Sequence, residues 1–230
     1  MENNFGQAVE VKSTLLNSVM KRVYFKMFMA MLVTAVTAFY VSGSESLLSM
    51  IYGNQIIFFG LIIAELGVVL YLSGRLHKLS NLAAKMLFYV YSILNGVVLS
   101  SVLLVYTGTS VFTTFVITAG VFAAMSIYGY FTSNDLSRFG SIMFMALIGL
   151  IICSVVNLFM QSSTMDWIIS FAGVVIFIGL TAWDTQKIKQ SAMFADAESA
   201  EKLSTIGALG LYLDFVNMFL YLLRFFGNRE

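Results

Sequence analysis

The chain lacks proline, has a single cysteine and carries few charges. Only 11% of its 230 residues are Asp, Glu, Lys or Arg, less than half of the roughly 25% that is usual in soluble proteins. One cysteine excludes a disulfide framework and a thiolate metal cluster, and the absence of proline excludes proline-kinked helices. Because 59% of the residues are hydrophobic, the composition indicates an integral membrane protein rather than a soluble enzyme.

Seven apolar runs are each long enough, at about 1.5 Å per residue, to cross the roughly 30 Å hydrocarbon core of a bilayer. They are predicted to be helices, because backbone groups in lipid must be paired within the segment and the runs lack the alternation of barrel strands. The predicted spans are residues 23–41, 51–73, 86–106, 111–131, 139–160, 167–183 and 206–226.

This pattern predicts an all-α polytopic membrane protein with one transmembrane domain. The domain covers residues 23–227, with a polar cytoplasmic segment at residues 1–22 and a short tail at residues 228–230. The longest predicted loop lies at about residues 184–205.

The basic residues predict the orientation of the chain. Eleven of the 13 Lys and Arg lie at the N-terminal end or between spans two and three, four and five, and six and seven, and the other three connections have none. Because cytoplasmic loops carry the excess of Lys and Arg, the N-terminus is predicted to be cytoplasmic. Arg224 and Arg229 do not fit a last span that crosses fully, so its crossing stays open.

Three acidic residues lie inside predicted spans, where an ionisable group needs a buried partner or a water-filled cavity. Glu65 is in span two, Asp184 at the cytoplasmic end of span six and Asp214 in span seven. The helical rise places Glu65 and Asp214 at similar depths, about 12 to 13 Å from the cytoplasmic face. Asp184 reaches a similar depth if span six continues as a helix to about Gln190. Arg75 lies at the cytoplasmic end of span two. The predicted site therefore holds three carboxylates and one guanidinium.

Two carboxylates in a low-dielectric site tend to share one proton and to titrate as a pair. When protonated, Asp184 and Asp214 can join span six to span seven by a hydrogen bond. When ionised, they repel each other unless Arg75 or a cation screens them. Carboxylates are also ligands that calcium prefers, so transient calcium is expected near Asp184, Asp214 and Glu65, without a firm metal site.

Structural roles stay open for both aspartates. Asp184 can be a helix-end carboxylate one turn from Lys187. Asp214 can be a buried acid that bonds Asn217 or a neighbouring hydroxyl.

Other polar residues of the spans are weaker candidates. Asn95, Asn157 and Asn217 are candidates for lining a pathway or for joining helices. His77, the single histidine, lies in a basic loop and is expected to be solvated. Because the chain has no phosphate loop, nucleotide fingerprint or nucleophile elbow, we predict no catalytic residue, cofactor, enzyme activity or nucleic-acid partner.

The segments around the two aspartates resemble the signature of the Bax inhibitor-1 family of membrane proteins. They read GLTAWDTQKIK at residues 179–189 and LGLYLDFVNMFLYLLRFFG at residues 209–227. Upstream, FVITAGVFAAMSIYGYFT, DLSRFG and FMALIGLIICSVVN are similar to the middle of bacterial inner-membrane members. The resemblance covers nearly the whole chain after about Lys21.

The resemblance implies six helices in two three-helix layers around a central C-terminal helix. It implies a pH-sensitive calcium leak that is gated by Asp184 and Asp214, with Arg75 as the arginine associated with the pair. It also implies a multi-pass location in the cell inner (plasma) membrane.

Other functions remain open at this stage. One is a membrane interaction protein that modulates a membrane protease or a stress-response complex, with the bilayer and other membrane proteins as partners. Another is an intramembrane aspartyl protease, which also uses two aspartates on adjacent helices, although the second aspartate here lies in YLD and not in GxGD. A proton-coupled transporter has no support from internal repeats or interrupted helices.

Overall fold

The computed structural model describes residues 2–75 and 78–228, except for the side chains of residues 2–11, 197 and 198. The described residues form helices and no strand, as predicted. The helices are α1 (Glu2–Ser42), α2 (Glu45–Tyr52), α3 (Gln55–Arg75), α4 (Asn81–Leu99), α5 (Val102–Val105), α6 (Gly108–Phe131), α7 (Ser137–Met160), α8 (Ser163–Phe194) and α9 (Ala197–Phe226).

Seven stretches of helix in the described chain are long and apolar enough to cross a membrane, which confirms the predicted number of spans. They are Lys12–Ser42, Gln55–Arg75, Asn81–Val105, Gly108–Phe131, Ser137–Met160, Ser163–Phe194 and Ser199–Phe226. Two starting points differ from prediction. The predicted polar segment is helical from Glu2 and continuous with the first span. The second span begins later, because Asn54 Oδ1 accepts the N–H of Ile56 at 2.9 Å and starts a new helix after α2.

Helix α8 is longer than predicted, and the predicted loop over residues 184–205 is wrong. Only Ala195 and Asp196 connect α8 to α9. Asp184 therefore lies inside a continuous helix, which was the condition for its approach to span seven.

Polar side chains of this α8 extension are held by the connection between α6 and α7. Gln186 Nε2 donates to the carbonyl of Asn134 at 2.8 Å, and Gln186 Oε1 accepts the N–H of Leu136 at 2.8 Å. Lys189 Nζ donates to the carbonyl of Tyr130 at 2.6 Å and lies 5.0 Å from the centre of its ring. Because these partners satisfy the polar groups, the TQKIK segment stays helical.

The described residues fall into two compact units. The first takes the chain up to Tyr106 together with Ser191–Leu209. Within it, α1 and α3 each pack on α4. At the α1–α4 contact, a Cβ on Gly96 would stand 2.6 Å from the carbonyl oxygen of Thr34, so only glycine allows this approach.

The second unit takes Thr107–Gln190 and the chain from Gly210 onwards. Aromatic contacts line its interior: the Phe215 ring packs edge-on against Phe122 at 5.5 Å, and Phe177 stacks on Tyr221 at 5.9 Å. Since lipid tails are as apolar as these side chains, the helices associate through close packing rather than through the hydrophobic effect. The buried cluster consists of Leu150, Ile169, Ile176, Phe177, Leu180, Met218 and Leu222.

The seven spans differ greatly in burial. In the most apolar stretch of Ser199–Phe226, 67% of the residues are buried, against 6% for Gln55–Arg75. Side chains such as Ile63 and Leu70 of the second span are exposed and face lipid. The last span is thus the most buried of the seven, and the arrangement of the others in two layers stays a prediction.

Candidate functional site

Two glycines hold α8 against its neighbours just before Asp184. A Cβ on Gly129 of α6 would stand 2.1 Å from the carbonyl oxygen of Ala182, and a Cβ on Gly140 of α7 would stand 2.1 Å from Trp183 Cδ2. No side chain larger than hydrogen fits at either position without a shift of its neighbours. These contacts fix the position of α8 immediately before the first aspartate.

The carboxyl group of Asp184 reaches α9 at a third glycine. Its Oδ2 lies 3.1 Å from the position that a Cβ on Gly210 would take. Gly210 precedes Asp214 by four residues, so the two positions share one face of α9, with about 5 to 6 Å between such neighbours. Side chains of a helix tilt toward its N-terminus, which directs Asp214 toward the turn that Asp184 contacts. The Asp184 carboxyl therefore lies one helical turn from Asp214.

Asp214 is buried without a partner for one of its carboxyl oxygens. The residue is 5% exposed, and Oδ2 is one of three buried side-chain oxygens in the described chain that have no hydrogen-bond partner. Asn217 does not supply one, because its Nδ2 donates to the carbonyl of Leu213 at 2.8 Å. The carboxyl group of Asp184 lies about one helical turn away. A buried carboxylate with a like charge as its neighbour is costly to the fold.

Lys187 does not neutralise Asp184 by an ion pair. Its charge acts on that carboxyl, but its Nζ lies 4.9 Å from the centre of the Trp183 ring. The exposed ammonium is therefore stabilised by the aromatic face. Neither structural partner that the sequence suggested, Lys187 or Asn217, pairs directly with an aspartate.

Glu65 has partners of its own in the first unit. It accepts hydrogen bonds from Asn95 Nδ2 on α4 and from Tyr91. Asn95 thereby joins α3 to α4, which is the packing role among its two predicted roles. Arg75 is exposed at the end of α3 and has no ion-pair partner among the described residues, so its association with the aspartate pair stays a prediction.

Asn157 stabilises the connection between α7 and α8. Its Nδ2 donates to Asp166 Oδ1 at 2.8 Å, and its Oδ1 accepts the N–H of Ser162 at 3.1 Å. Between them, Gln161 takes a left-handed conformation with φ of 51°. Asn157 therefore bonds a turn, and its amide is used up by these contacts.

Comparison with known proteins identifies the family. The family model described as "Inhibitor of apoptosis-promoting Bax1" matches residues 16–230 of the chain. The chain belongs to the Bax inhibitor-1 family.

Relatives of similar length match this Bax inhibitor-1 family chain over nearly all of its residues. The inner membrane protein YbhL of Escherichia coli K12 is 46% identical over 218 residues, which cover 94% of this chain and 93% of that protein. A protein of Borreliella burgdorferi is 44% identical over 93% of both chains. Protein RP147 of Rickettsia prowazekii is 47% identical over 92% of this chain and 89% of its own.

The structure of this family member also has a buried ion pair that the sequence did not predict. Lys26 was counted only as a charge that sets orientation, yet it is 6% exposed. Its Nζ donates to Glu201 Oε1 at 2.6 Å, Ser204 Oγ at 2.7 Å and Thr205 Oγ1 at 2.9 Å. Arg22 Nη1 donates to the other Glu201 oxygen at 3.1 Å. The i, i+3, i+4 spacing of three polar residues on α9 was the signal that could have revealed it.

Among the residues that the structure describes, no three His, Cys, Asp or Glu side chains are grouped closely enough to hold a metal ion together. His77 lies outside the described residues. What remains distinctive in this Bax inhibitor-1 family chain is a pair of acidic residues on two neighbouring helices, of which Asp214 is buried and Asp184 is half-buried.

Proposed function

We propose that this Bax inhibitor-1 family protein is a pH-sensitive cation leak channel, with calcium as the permeant ion and with Asp184 and Asp214 as its gate. The observation that carries the proposal is the buried Asp214 Oδ2, which has no hydrogen-bond partner in the described chain, while the carboxyl group of Asp184 reaches the same helix one turn away, at Gly210. Such an arrangement does not stabilise a fold. It is the arrangement that a protonation switch requires.

The gate has two states that differ in protonation. With one shared proton, a hydrogen bond can form between the carboxyl groups and hold α8 to α9. With both carboxyls ionised, repulsion across about one helical turn in a low-dielectric site separates the helices or draws in a cation. A proton can therefore change the contact between the two helices without any other ligand.

Calcium suits this site by its ligand chemistry. It is a hard cation that binds carboxylate, hydroxyl and carbonyl oxygens and tolerates irregular geometry. Passage requires that the ion bind weakly enough to leave again.

We propose the inner membrane as the location, with a cytoplasmic N-terminus. The E. coli relative is named an inner membrane protein, and this chain has seven candidate spans in its described part. The orientation rests on the Lys and Arg distribution. In this proposal the aspartates act as a gate and not as catalysts.

The test is calcium flux into liposomes that contain the purified protein, measured from about pH 5 to 8. The parent protein is expected to give a flux that varies with pH. Asp184→Asn and Asp214→Asn, which cannot ionise, are each expected to give a flux that no longer varies. The matched control is Asp166→Asn, since Asp166 is a carboxylate of α8 that accepts a hydrogen bond from Asn157; it is expected to keep the parental pH profile.

Two results would contradict the proposal. A folded parent protein that gives no flux above empty liposomes at any pH would leave the interaction-protein function in its place. A pH profile that Asp166→Asn flattens as much as the two gate variants would show that the response does not belong to the pair.

A further inference from the structure

Two buried hydroxyl groups of the second unit lack the partner that other hydroxyls in the spans have. A Ser or Thr in a helix commonly donates to the carbonyl four residues back. Ser126 Oγ and Thr185 Oγ1 are buried and have no hydrogen-bond partner in the described chain. The hydroxyls that do bond the carbonyl four residues back, at 2.7 to 3.2 Å, include those of Thr34, Thr37, Ser92, Thr118, Ser154, Ser170, Thr181 and Thr205.

Ser126 lies on the face of α6 that meets α8 and α9. It follows Phe122 by four residues and precedes Gly129 by three, so all three share one face. The Phe122 ring packs on Phe215 of α9, and Gly129 abuts Ala182 of α8. Ser126, which is 5% exposed, therefore points into the space where the three helices meet.

Thr185 points into the same space from α8. Its neighbour Asp184 faces α9 at Gly210, and Ala182 faces α6 at Gly129. Successive residues of a helix are about 100° apart, which puts the Thr185 side chain between these two directions. The residue is 0% exposed. Its hydroxyl is thus directed between α6 and α9.

Contacts along α8 and α9 fix the heights of these groups. The two helices run in opposite directions, since Gly173 meets Tyr221 and Asp184 meets Gly210. Asp184 is level with Gly210. Because the helices are antiparallel, Asp214, which lies four residues after Gly210, is level with residue 180 of α8. At about 1.5 Å per residue, Asp184 and its neighbour Thr185 lie roughly 6 to 8 Å from that level.

The corresponding contacts of α6 bring Ser126 to the level of the α9 carboxyl. Gly129 meets Ala182, and Gln186 bonds the carbonyl of Asn134, so α6 and α8 run in the same direction. Gly129 is level with Ala182 of α8, so Ser126, which lies three residues before Gly129, is level with residue 179 of α8. It is thus within about one residue of the height of the second aspartate.

We propose that Ser126 and Thr185 complete, with Asp184 and Asp214, an oxygen-lined cation site between α6, α8 and α9. The inference rests on the proposed function, because it names the constriction through which the ion would pass. The four side chains lie on two levels and, with one oxygen from each, supply four ligands, fewer than the six to eight that calcium takes. The ion keeps water for the remaining positions and is bound weakly, as passage requires.

The test removes each hydroxyl and keeps the shape of the side chain. Ser126→Ala and Thr185→Val are each expected to lower calcium flux about tenfold, the effect of losing one hydrogen-bonding oxygen to a charged group. The flux that remains should still vary with pH, because both carboxyls are present. The matched controls are Thr118→Val on α6 and Thr181→Val on α8, whose hydroxyls bond their own helices; these are expected to stay within about twofold of the parent.

A second readout does not depend on flux. Calcium that binds the folded protein raises its melting temperature in detergent, and the calcium concentration needed for half of this rise is expected to increase about tenfold in Thr185→Val. Thr185→Ser keeps the hydroxyl and is expected to restore parental values in both assays. If Thr185→Ser fails as Thr185→Val does, or if both hydroxyl deletions keep parental flux and parental calcium dependence, the site is refuted and the buried oxygens hold water alone.

The two assays separate the two proposals. Parental flux that varies with pH but ignores both hydroxyl deletions would refute this site and leave the leak channel standing. Calcium-dependent stabilisation that needs the hydroxyls, in a protein without flux, would refute the channel and leave a binding site.

Discussion

Around Lys26 the first unit buries opposite charges, whereas around Asp214 the second unit buries like charges. The Lys26 ammonium has a carboxylate and two hydroxyls within 2.9 Å. Asp214 has an oxygen without a hydrogen-bond partner in the described chain, and the Asp184 carboxyl lies about one helical turn away from it. Both groups of residues use helix α9, the first through Glu201 and the second through Gly210 and Asp214.

Only the arrangement around Lys26 is expected to stabilise the fold. A buried ammonium must be paired, and every partner of Lys26 contributes to that pairing. Nothing comparable neutralises the aspartates, so the fold would be at least as stable with amides in their place. We therefore assign a structural role to the paired cluster and a functional role to the unpaired one, and the predictions below test this assignment.

The largest effect is expected where a paired charge is removed. Lys26→Met keeps the length of the side chain but removes the shorter of the two ion pairs of Glu201. Because the Glu201 side chain is 31% exposed and keeps Arg22 as a partner, the free energy of unfolding should fall by about 2 kcal/mol. Chemical unfolding in detergent micelles measures it. The control is Lys21→Met, since Lys21 is exposed on the same helix, and its change should stay below about 0.5 kcal/mol. Equal effects of the two substitutions would contradict a structural role for the Lys26 cluster.

The next largest expected effect is an increase in stability. Asp214→Asn removes a buried charge that has no partner and should raise the free energy of unfolding by about 1 to 2 kcal/mol at pH 8. The gain should shrink as the pH falls, because the parental carboxyl then takes up a proton and loses its charge. Glu201→Gln makes the same change in the paired cluster and should destabilise the protein. Loss of stability in Asp214→Asn at pH 8 would mean that the aspartate is a structural residue.

A smaller effect is expected at the glycine that makes room for Asp184. Gly120 is an exposed helical glycine that has nothing within 4 Å of an added Cβ. Its replacement by alanine should raise the free energy of unfolding by about 0.5 to 1 kcal/mol. Gly210→Ala should not show this gain, because its Cβ would stand 3.1 Å from Asp184 Oδ2 and displace the carboxyl. Unfolding compares the two variants, and calcium flux should show a shifted pH profile in Gly210→Ala alone. Identical behaviour of the two variants would remove Gly210 from the site.

The smallest effect concerns an exposed carboxylate that belongs to neither cluster. Hydrogen bonds from the side chain and the backbone of Ser137 hold the pKa of Asp135 below its usual range. A lowered pKa means that this stabilisation is present above the ordinary pKa of aspartate and is lost as the pH falls through the lowered value. Asp135→Ala should therefore weaken the start of α7 slightly at neutral pH and match the parent in strong acid. Acid unfolding curves of the two proteins measure this difference.

The seven spans could be predicted from the sequence because an apolar run of about 20 residues has few alternatives to a membrane helix. The depth of Asp214 could also be predicted, by counting residues along its span, but Asp184 was predicted to approach it only if span six continued as a helix. The continuation of α8 could not be predicted from the sequence, because it depends on hydrogen-bond partners of Gln186 and Lys189 near the α6–α7 connection. Local sequence there is polar and compatible with a loop.

The burial of Lys26 was missed for a similar reason. A lysine near the end of a span usually reaches the membrane surface, and its burial depends on Glu201, which is 175 residues away in the sequence. The clearance at Gly210 likewise exists only once α8 lies against α9. Composition and residue spacing describe one segment at a time, whereas the burial of Lys26 and the clearance at Gly210 depend on contacts between two segments.

Helices α8 and α9 are unbroken at the aspartates, and this limits how an ion can be dehydrated there. In selective channels and in many transporters, unwound backbone supplies carbonyl oxygens that replace the hydration shell. The carbonyls around Asp184 and Asp214 are instead part of continuous helices, Ser163–Phe194 and Ala197–Phe226. In the proposed channel, an ion that passes these residues would therefore exchange its water with side chains alone, which favours slow conduction with modest discrimination between cations of similar charge.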